Sequence, residues 1–201
     1  MKSKVRKNIE QGILIGLICT VCLSMAHFDA ACTDLKNSVL RLHIRANSDS
    51  VADQTLKLAI RDRILEQSDS VFDECVDLQT AIESVRNNSE KIENIANTVI
   101  EEYGYDYKAN VSIGESYFET REYDDFVLPA GNYNSLIVNI GKAQGKNWWC
   151  VVYPTVCLPA ADGKLSDSAS DESSKIAQNP SRYVMKFKVV EWYEKIKQKF
   201  K

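Results

Sequence analysis

The first 28 residues constrain this chain more than any other stretch. Lys2, Lys4, Arg6 and Lys7 precede Ile13–Ala26, a run of 14 residues without a charge, and the uncharged stretch as a whole extends from Gln11 to Phe28. A basic region followed by a short apolar core is the layout of a secretory signal, whereas a spanning helix needs about 20 apolar residues. Ser24 and Ala26 supply small residues at the −3 and −1 positions of a cut after Ala26. Residues 1–26 are therefore expected to act as a signal peptide or, left uncut, as a signal anchor, and the rest of the chain to work outside the cytoplasm. No Leu-x-x-Cys lipid-attachment pattern precedes Cys19, Cys22 or Cys32.

Beyond that segment the chain carries 21 bases against 27 acids, a net charge of −6. Phosphate neutralisation needs a net basic surface, so nucleic acid is not an expected partner. With 44% apolar and 26% charged residues the composition is that of a globular protein. Cys32, Cys75, Cys150 and Cys157 remain in the exported part, and four cysteines allow three pairings. A hairpin turning through Tyr153–Pro154 would set Cys150 opposite Cys157, which makes that pair a disulfide candidate.

Val39–Ala46 alternates Leu40, Leu42 and Ile44 with Arg41, His43 and Arg45, the period of a half-buried strand with its polar side outward. Ser50 with Asp53 resembles a capping box, and Leu56, Ile60 and Ile64 then recur at i+4 in a helix from about 51 to 66. Asp77 can cap a longer helix that stops at Gly104 and kinks at Asn87-Asn88-Ser89. Period-two strands follow at Tyr107–Ile113, Ser116–Arg121, Ser135–Ile140 and Trp148–Val152. Residues 158–180 are rich in Ser and acid and read as a flexible loop, after which Arg182–Val190 reads as a strand. The fold expected is α+β: residues 27–201 form a single exported domain, an antiparallel sheet with two helices packed on one face, preceded by the N-terminal signal helix.

The chain lacks a Gly-x-Ser-x-Gly elbow, a His-Glu-x-x-His pair and a phosphate loop. The one nucleophilic triad the composition allows is Cys150 with His43 as base and Asn47 orienting it, a secreted cysteine-dependent hydrolase. Outside the signal segment no Cys or His pair has metal-ligand spacing, so neither a metal nor a cofactor is expected, and no residue is assigned a catalytic role. In Asn147–Cys150 the adjacent Trp148 and Trp149 must point to opposite faces of a strand, and a half-exposed indole suits an interaction hot spot. Asp53, Lys57 and Arg61 stand at i,i+4 on one helix face, which on spacing alone is a solvated stripe. Arg182–Lys201 holds seven bases and two acids with Val189, Trp192, Ile196 and Phe200 at helical spacing. Such a tail can lie on an anionic membrane or close the fold as a docked helix; a membrane-surface structural protein is thus a further reading.

Two blocks resemble a known family. Arg41-Leu-His-Ile-Arg-Ala-Asn-Ser-Asp49 through Asp53-Gln54-x-x-Lys57-x-x-x-Arg61-Asp62 is similar to the first block of the stage II sporulation protein R family. Pro129-Ala-Gly-Asn-Tyr133-x-x-Leu136, Ile140-Gly141-x-x-x-Gly145-x-Asn147-Trp-Trp-Cys150-Val and Pro154-x-x-Cys157 are similar to its second. The resemblance implies a secreted signalling protein of endospore formation, exported from the forespore into the space between forespore and mother-cell membranes. It further implies activation of a membrane-embedded aspartic protease that processes pro-sigma E in the mother cell. With that weight added, Asn47, Ser48, Asp49, Asp53, Gln54, Lys57 and Arg61, with Trp148 or Trp149, become the expected protease-facing patch. Contact with a membrane surface through the N-terminal segment or the basic tail is a second expected partnership.

Overall fold

The computed structural model describes residues 2–72, 75–123, 126–154 and 169–200. Helix α1 spans Lys2–Lys36 without a break, its apolar N-terminal part exposed and Phe28, Ala31, Cys32 and Leu35 buried in the fold. Strand β1 (Leu40–Arg45) follows, then α2 (Val51–Glu66), whose first turn is capped as its sequence foretells: the Ser50 hydroxyl accepts from the Asp53 amide. A short α3 (Asp69–Phe72) leads to α4 (Leu78–Asn87), capped by a reciprocal Asp77–Thr80 box, and to α5 (Ser89–Glu102). The expected long helix thus breaks at Asn88, and Gly104 ends α5 with φ +77.

Strand β2 (Ala109–Phe118) is continuous where two short strands are expected, and it pairs with β5 (Gly131–Ile140) along its whole length. Between them lies a small ladder of β3 (Arg121–Glu122) and β4 (Val127–Leu128). Strand β6 (Asn147–Tyr153) completes a sheet of order β2-β5-β1-β6. The fold is α+β as expected, but the sheet is mixed and not antiparallel throughout, because β1 runs parallel to β5 and antiparallel to β6. A parallel neighbour needs a crossover, and α2 to α5 supply it.

A second correction concerns the faces. Leu40, Leu42, Ile44, Leu136, Val138, Cys150 and Val152 pack beneath α2, α4 and α5, the face the alternation marks as apolar. The other face is covered as well, by the end of α1, the β3–β4 ladder, α6 (Asp171–Gln178) and α7 (Pro180–Lys199). Helix α6 falls in the stretch read as a flexible loop; Ile176 and Ala177 give it an apolar side that seals this layer. Residues 155–168, including Cys157 and so the Cys150–Cys157 pairing, lie outside the described residues. The segment read as a final strand is the first half of α7. Tyr183, Phe187 and Val190 meet Phe28 and Ala31 of α1, and that contact needs the helical period.

Burial of the second face encloses the polar side of β1. Arg41 is wholly buried, its guanidinium carbon 3.8 Å from the Phe118 ring centroid and 4.8 Å from that of Tyr133. One terminal nitrogen donates to the Tyr123 hydroxyl at 2.9 Å, while Nε and Nη1 have no hydrogen-bond partner among the described residues. Stacking in a desolvated aromatic box returns about 2 kcal/mol, which does not offset unpaired buried N–H groups. Arg41→Met is therefore expected to unfold in urea at the same or a higher midpoint than the parent, whereas Phe118→Ala should lose about 3–5 kcal/mol.

Candidate functional site

The residues singled out in sequence converge where the β1–α2 loop meets the β5–β6 loop. Asp53 is the hub. Its carboxylate accepts from Tyr107 Oη at 2.6 Å, from Asn47 Nδ2 at 3.0 Å and from the Ser48 hydroxyl, and its own amide is held by Ser50 at 3.1 Å. Desolvation pushes this carboxyl up, but the hydrogen bonds from Ser48, Tyr107, Asn47 and Ser50 outweigh it and hold Asp53 below the ordinary carboxylate value. The first turn of a helix is also where a negative charge is favoured. The same proximity drives the Tyr107 hydroxyl upward, burial first and then Asp53, so it stays a donor.

From this hub the network reaches the second loop. Asn47 Oδ1 accepts from the Lys142 amide at 3.0 Å, Ala46 O from Gly145 N at 2.9 Å, and Asp49 Oδ1 from the Lys146 amide at 2.6 Å. Gln54 Nε2 donates to Ser48 O at 2.8 Å. Lys57, almost fully buried, donates to Gln54 Oε1 at 2.6 Å and to Lys146 O at 3.1 Å. Burial lowers its ammonium group below the usual lysine value, with nearby Asp49 opposing and Arg61 adding to the drop. Two glycines make the approach feasible. A Cβ on Gly145 would run into the Ser48 backbone oxygen, and Gly141, at φ +54, would meet the Asn47 side chain.

The stripe Asp53/Lys57/Arg61 is thus neither solvated nor paired within itself. Asp53 and Lys57 face inward and brace the loops; Arg61 lies at the margin, bonded to Asp62 at 2.7 Å with its guanidinium 4.3 Å from the Trp148 ring. Trp148 and Trp149 do point to opposite faces. Trp148 packs beside the helical layer, and Trp149 joins His43 and Phe118 on the other side, each half-buried. Of the expected patch Asp49 is exposed, while Asn47, Ser48, Gln54, Arg61 and Trp148 are half-buried, with the Arg61–Trp148 pair at its margin. Sequence spacing missed Tyr107, whose position before β2 gives no sign that it reaches Asp53. The Gly141 and Gly145 pair beside a polar loop is the local signal that a close backbone approach occurs there.

The cysteine triad does not assemble. Cys150 pairs with Leu42 and is buried under the helices, whereas His43 pairs with Trp149 and projects from the opposite face, where its Nδ1 meets Ser116 Oγ at 3.2 Å. The Asn47 side chain is committed to Asp53. His43 is buried and not on the surface, which pushes its imidazole below the ordinary value; a hydrogen bond with Asn147 opposes this and Arg45 and Arg41 reinforce it. Among the described residues no group of three His, Cys, Asp or Glu could hold a metal ion.

The family model for stage II sporulation protein R matches residues 36–162, the stretch that contains both loops of this brace. The chain belongs to the stage II sporulation protein R family. It is 32% identical over 143 residues to the stage II sporulation protein R of Bacillus subtilis (strain 168), covering 70% of this chain and 64% of that relative. The chain thus spans less than two thirds of the length of this curated relative. No solved structure matches. The family match leaves out nearly all of α1 and the whole of α6 and α7, so of the layer over the second sheet face it takes in the β3–β4 ladder and not the helices.

Two outcomes follow for stability. Asp53→Asn keeps the shape and removes the charge that three donors address, and should cost about 2 kcal/mol or more in urea unfolding. Asp53 and His43 both hold a proton less tightly folded than unfolded, so each contributes stability that is lost on acidification, His43 below its ordinary 6.5 and Asp53 below its ordinary 3.8. Unfolding free energy should accordingly fall between about pH 7 and pH 5, and His43→Gln should flatten that slope.

Proposed function

We propose that this protein is an exported sporulation signal that activates a membrane-embedded aspartic protease and so triggers processing of pro-sigma E in the mother cell. The observation that carries this reading is the family match over residues 36–162, joined to an apolar helix that runs directly into the matched region. Helix α1 is long and apolar enough to cross a membrane, and so suits delivery into the space between the two membranes. The chemistry of the braced loops favours a ligand over a catalyst. Their polar groups satisfy one another, and what they offer outward is a rim of Asp49, Arg61 and Trp148 held on a rigid base.

Activation by such a surface is a population shift: a ligand that binds the active arrangement of the protease more tightly moves the equilibrium by that difference in affinity. Arg61 and Trp148 are the residue types that dominate interface energies, and they are already stacked on one another, which lowers the entropy cost of presenting them. The brace behind them keeps the rim in one geometry.

The test is reconstitution of the full chain with the protease and its pro-sigma substrate in a non-sporulating host, with cleavage followed by mass. Substrate should be cut only when this protein is present. Cys150→Ala, provided it accumulates, should leave cleavage intact, and Arg61→Glu should abolish it while the protein accumulates to parental levels. Cleavage lost with Cys150→Ala in a stably folded protein would overturn the reading in favour of a thiol enzyme. Normal cleavage with Arg61→Glu would remove the rim from the mechanism.

A further inference from the structure

Helix α7 is apolar on two opposite sides, and the fold uses only one of them. Phe187 and Val190 face inward against α1, with Glu194 held by Lys36 at 3.5 Å. With 3.6 residues per turn, Met185, Val189, Trp192 and Ile196 line the far side, with Tyr193 and Phe200 at its edge. Met185 is 75% exposed, Trp192 68% and Phe200 87%. The helix therefore docks as a closing helix, one of the two alternatives its sequence leaves open, and still presents an apolar stripe without a partner among the described residues.

The charges are sorted about that stripe. Lys188 and Lys199 border it on one side, Arg182, Lys186 and Lys197 on the other. Both acids of the helix, Glu191 and Glu194, lie toward the fold. Glu191 is engaged by Lys195 at 2.7 Å, which also meets Glu119 at 3.4 Å, so Lys195 is not counted among the unpaired bases. The part of the chain beyond the N-terminal segment has a net charge of −6, yet it gathers around one exposed apolar strip bases that meet no acid among the described residues. Among the described residues the exposed large hydrophobic side chains lie on the N-terminal part of α1 and on α7, apart from Val51, Val76 and Tyr103. The two surfaces are continuous: Lys186 Nζ donates to Ser24 Oγ at 2.8 Å, near the end of the uncharged run of α1.

We propose that the outward face of α7 is a lipid-binding surface that rests on an anionic membrane. An apolar stripe flanked by lysines whose stems can cover it while their ammonium groups reach lipid phosphates is the pattern of an interfacial helix. Trp192 and Tyr193 are the residue types that settle at the boundary between acyl chains and headgroups. Each unopposed base close to an anionic surface strengthens the attraction, and none of the stripe's neighbours on the outward side repels it. The position next to the apolar part of α1 brings this face to the membrane that the N-terminal segment reaches. This surface is separate from the Asp49/Arg61/Trp148 rim and does not depend on the function proposed for it.

The test places the full chain in vesicles of phosphatidylcholine and phosphatidylglycerol whose acyl chains carry bromine, a short-range quencher of indole. The Trp192 signal is taken as the difference between the parent and Trp192→Phe, so the other two indoles and the anchoring by α1 cancel. The proposal expects bromolipid to quench that signal, and the quenching to disappear in phosphatidylcholine alone and in a Lys188→Glu/Lys199→Glu variant. A Trp192 signal untouched by bromolipid but quenched by aqueous iodide would overturn it, since the face would then be in water. Protection from both quenchers that grows with protein concentration would also overturn it, in favour of a second copy of the chain on this face.

Discussion

One buried carboxylate, Asp53, ties together two loops that are far apart in the chain. It sits in the first turn of α2, so the helix terminus favours its charge, and it collects donors from the loop before the helix and from Tyr107 ahead of β2. The Asn47, Asp49 and Lys57 contacts then carry the restraint across to Lys142–Lys146. A charge this deep is costly unless every lone pair is addressed, and the number of residues spent on it follows from that requirement. The two glycines of the β5–β6 loop belong to the same constraint, because only a backbone without a Cβ lets the loops come so close.

This arrangement separates support from display. Asp53 and Lys57 have their partners inside the chain, and their burial leaves a binding partner little to touch. What the brace holds in place is the Arg61–Trp148 stack at its edge. A motif dense in polar residues invites the reading that all of them face outward; here most of them face inward and fix the geometry of the few at the margin. The strand that anchors the brace shows the same inversion. On β1 most of the polar side is buried too, with Arg41 boxed by rings and His43 set against Ser116.

The layer that causes this inversion is built from the two ends of the chain. The last turns of α1 and the helices α6 and α7 close over the second sheet face, with Phe28 packed among Tyr183 and Phe187. The exposed apolar N-terminal segment is therefore continuous, within one helix, with a C-terminal part that is core. The junction lies close to Ala26: His27 is exposed and Phe28 is buried.

Local pattern alone determined a good deal. The Ser50 and Asp77 caps, the helix from Val51 to Glu66, the break at Asn88, the stop at Gly104 and the opposed directions of Trp148 and Trp149 all depend on contacts within a few residues, so they are legible in order along the chain. Strand order, the parallel pairing of β1 with β5, the covering of the second face and the helical state of Arg182–Val190 were decided by tertiary structure. Alternation on β1 marks one side as polar, but whether that side meets water depends on helices from the chain's two ends, about which the strand carries no information. Likewise Arg182–Val190 alternates well enough for a strand. Only the need to bury Phe187 and Val190 against α1 selects the helical period, and that choice leaves Met185, Trp192 and their lysine neighbours facing outward.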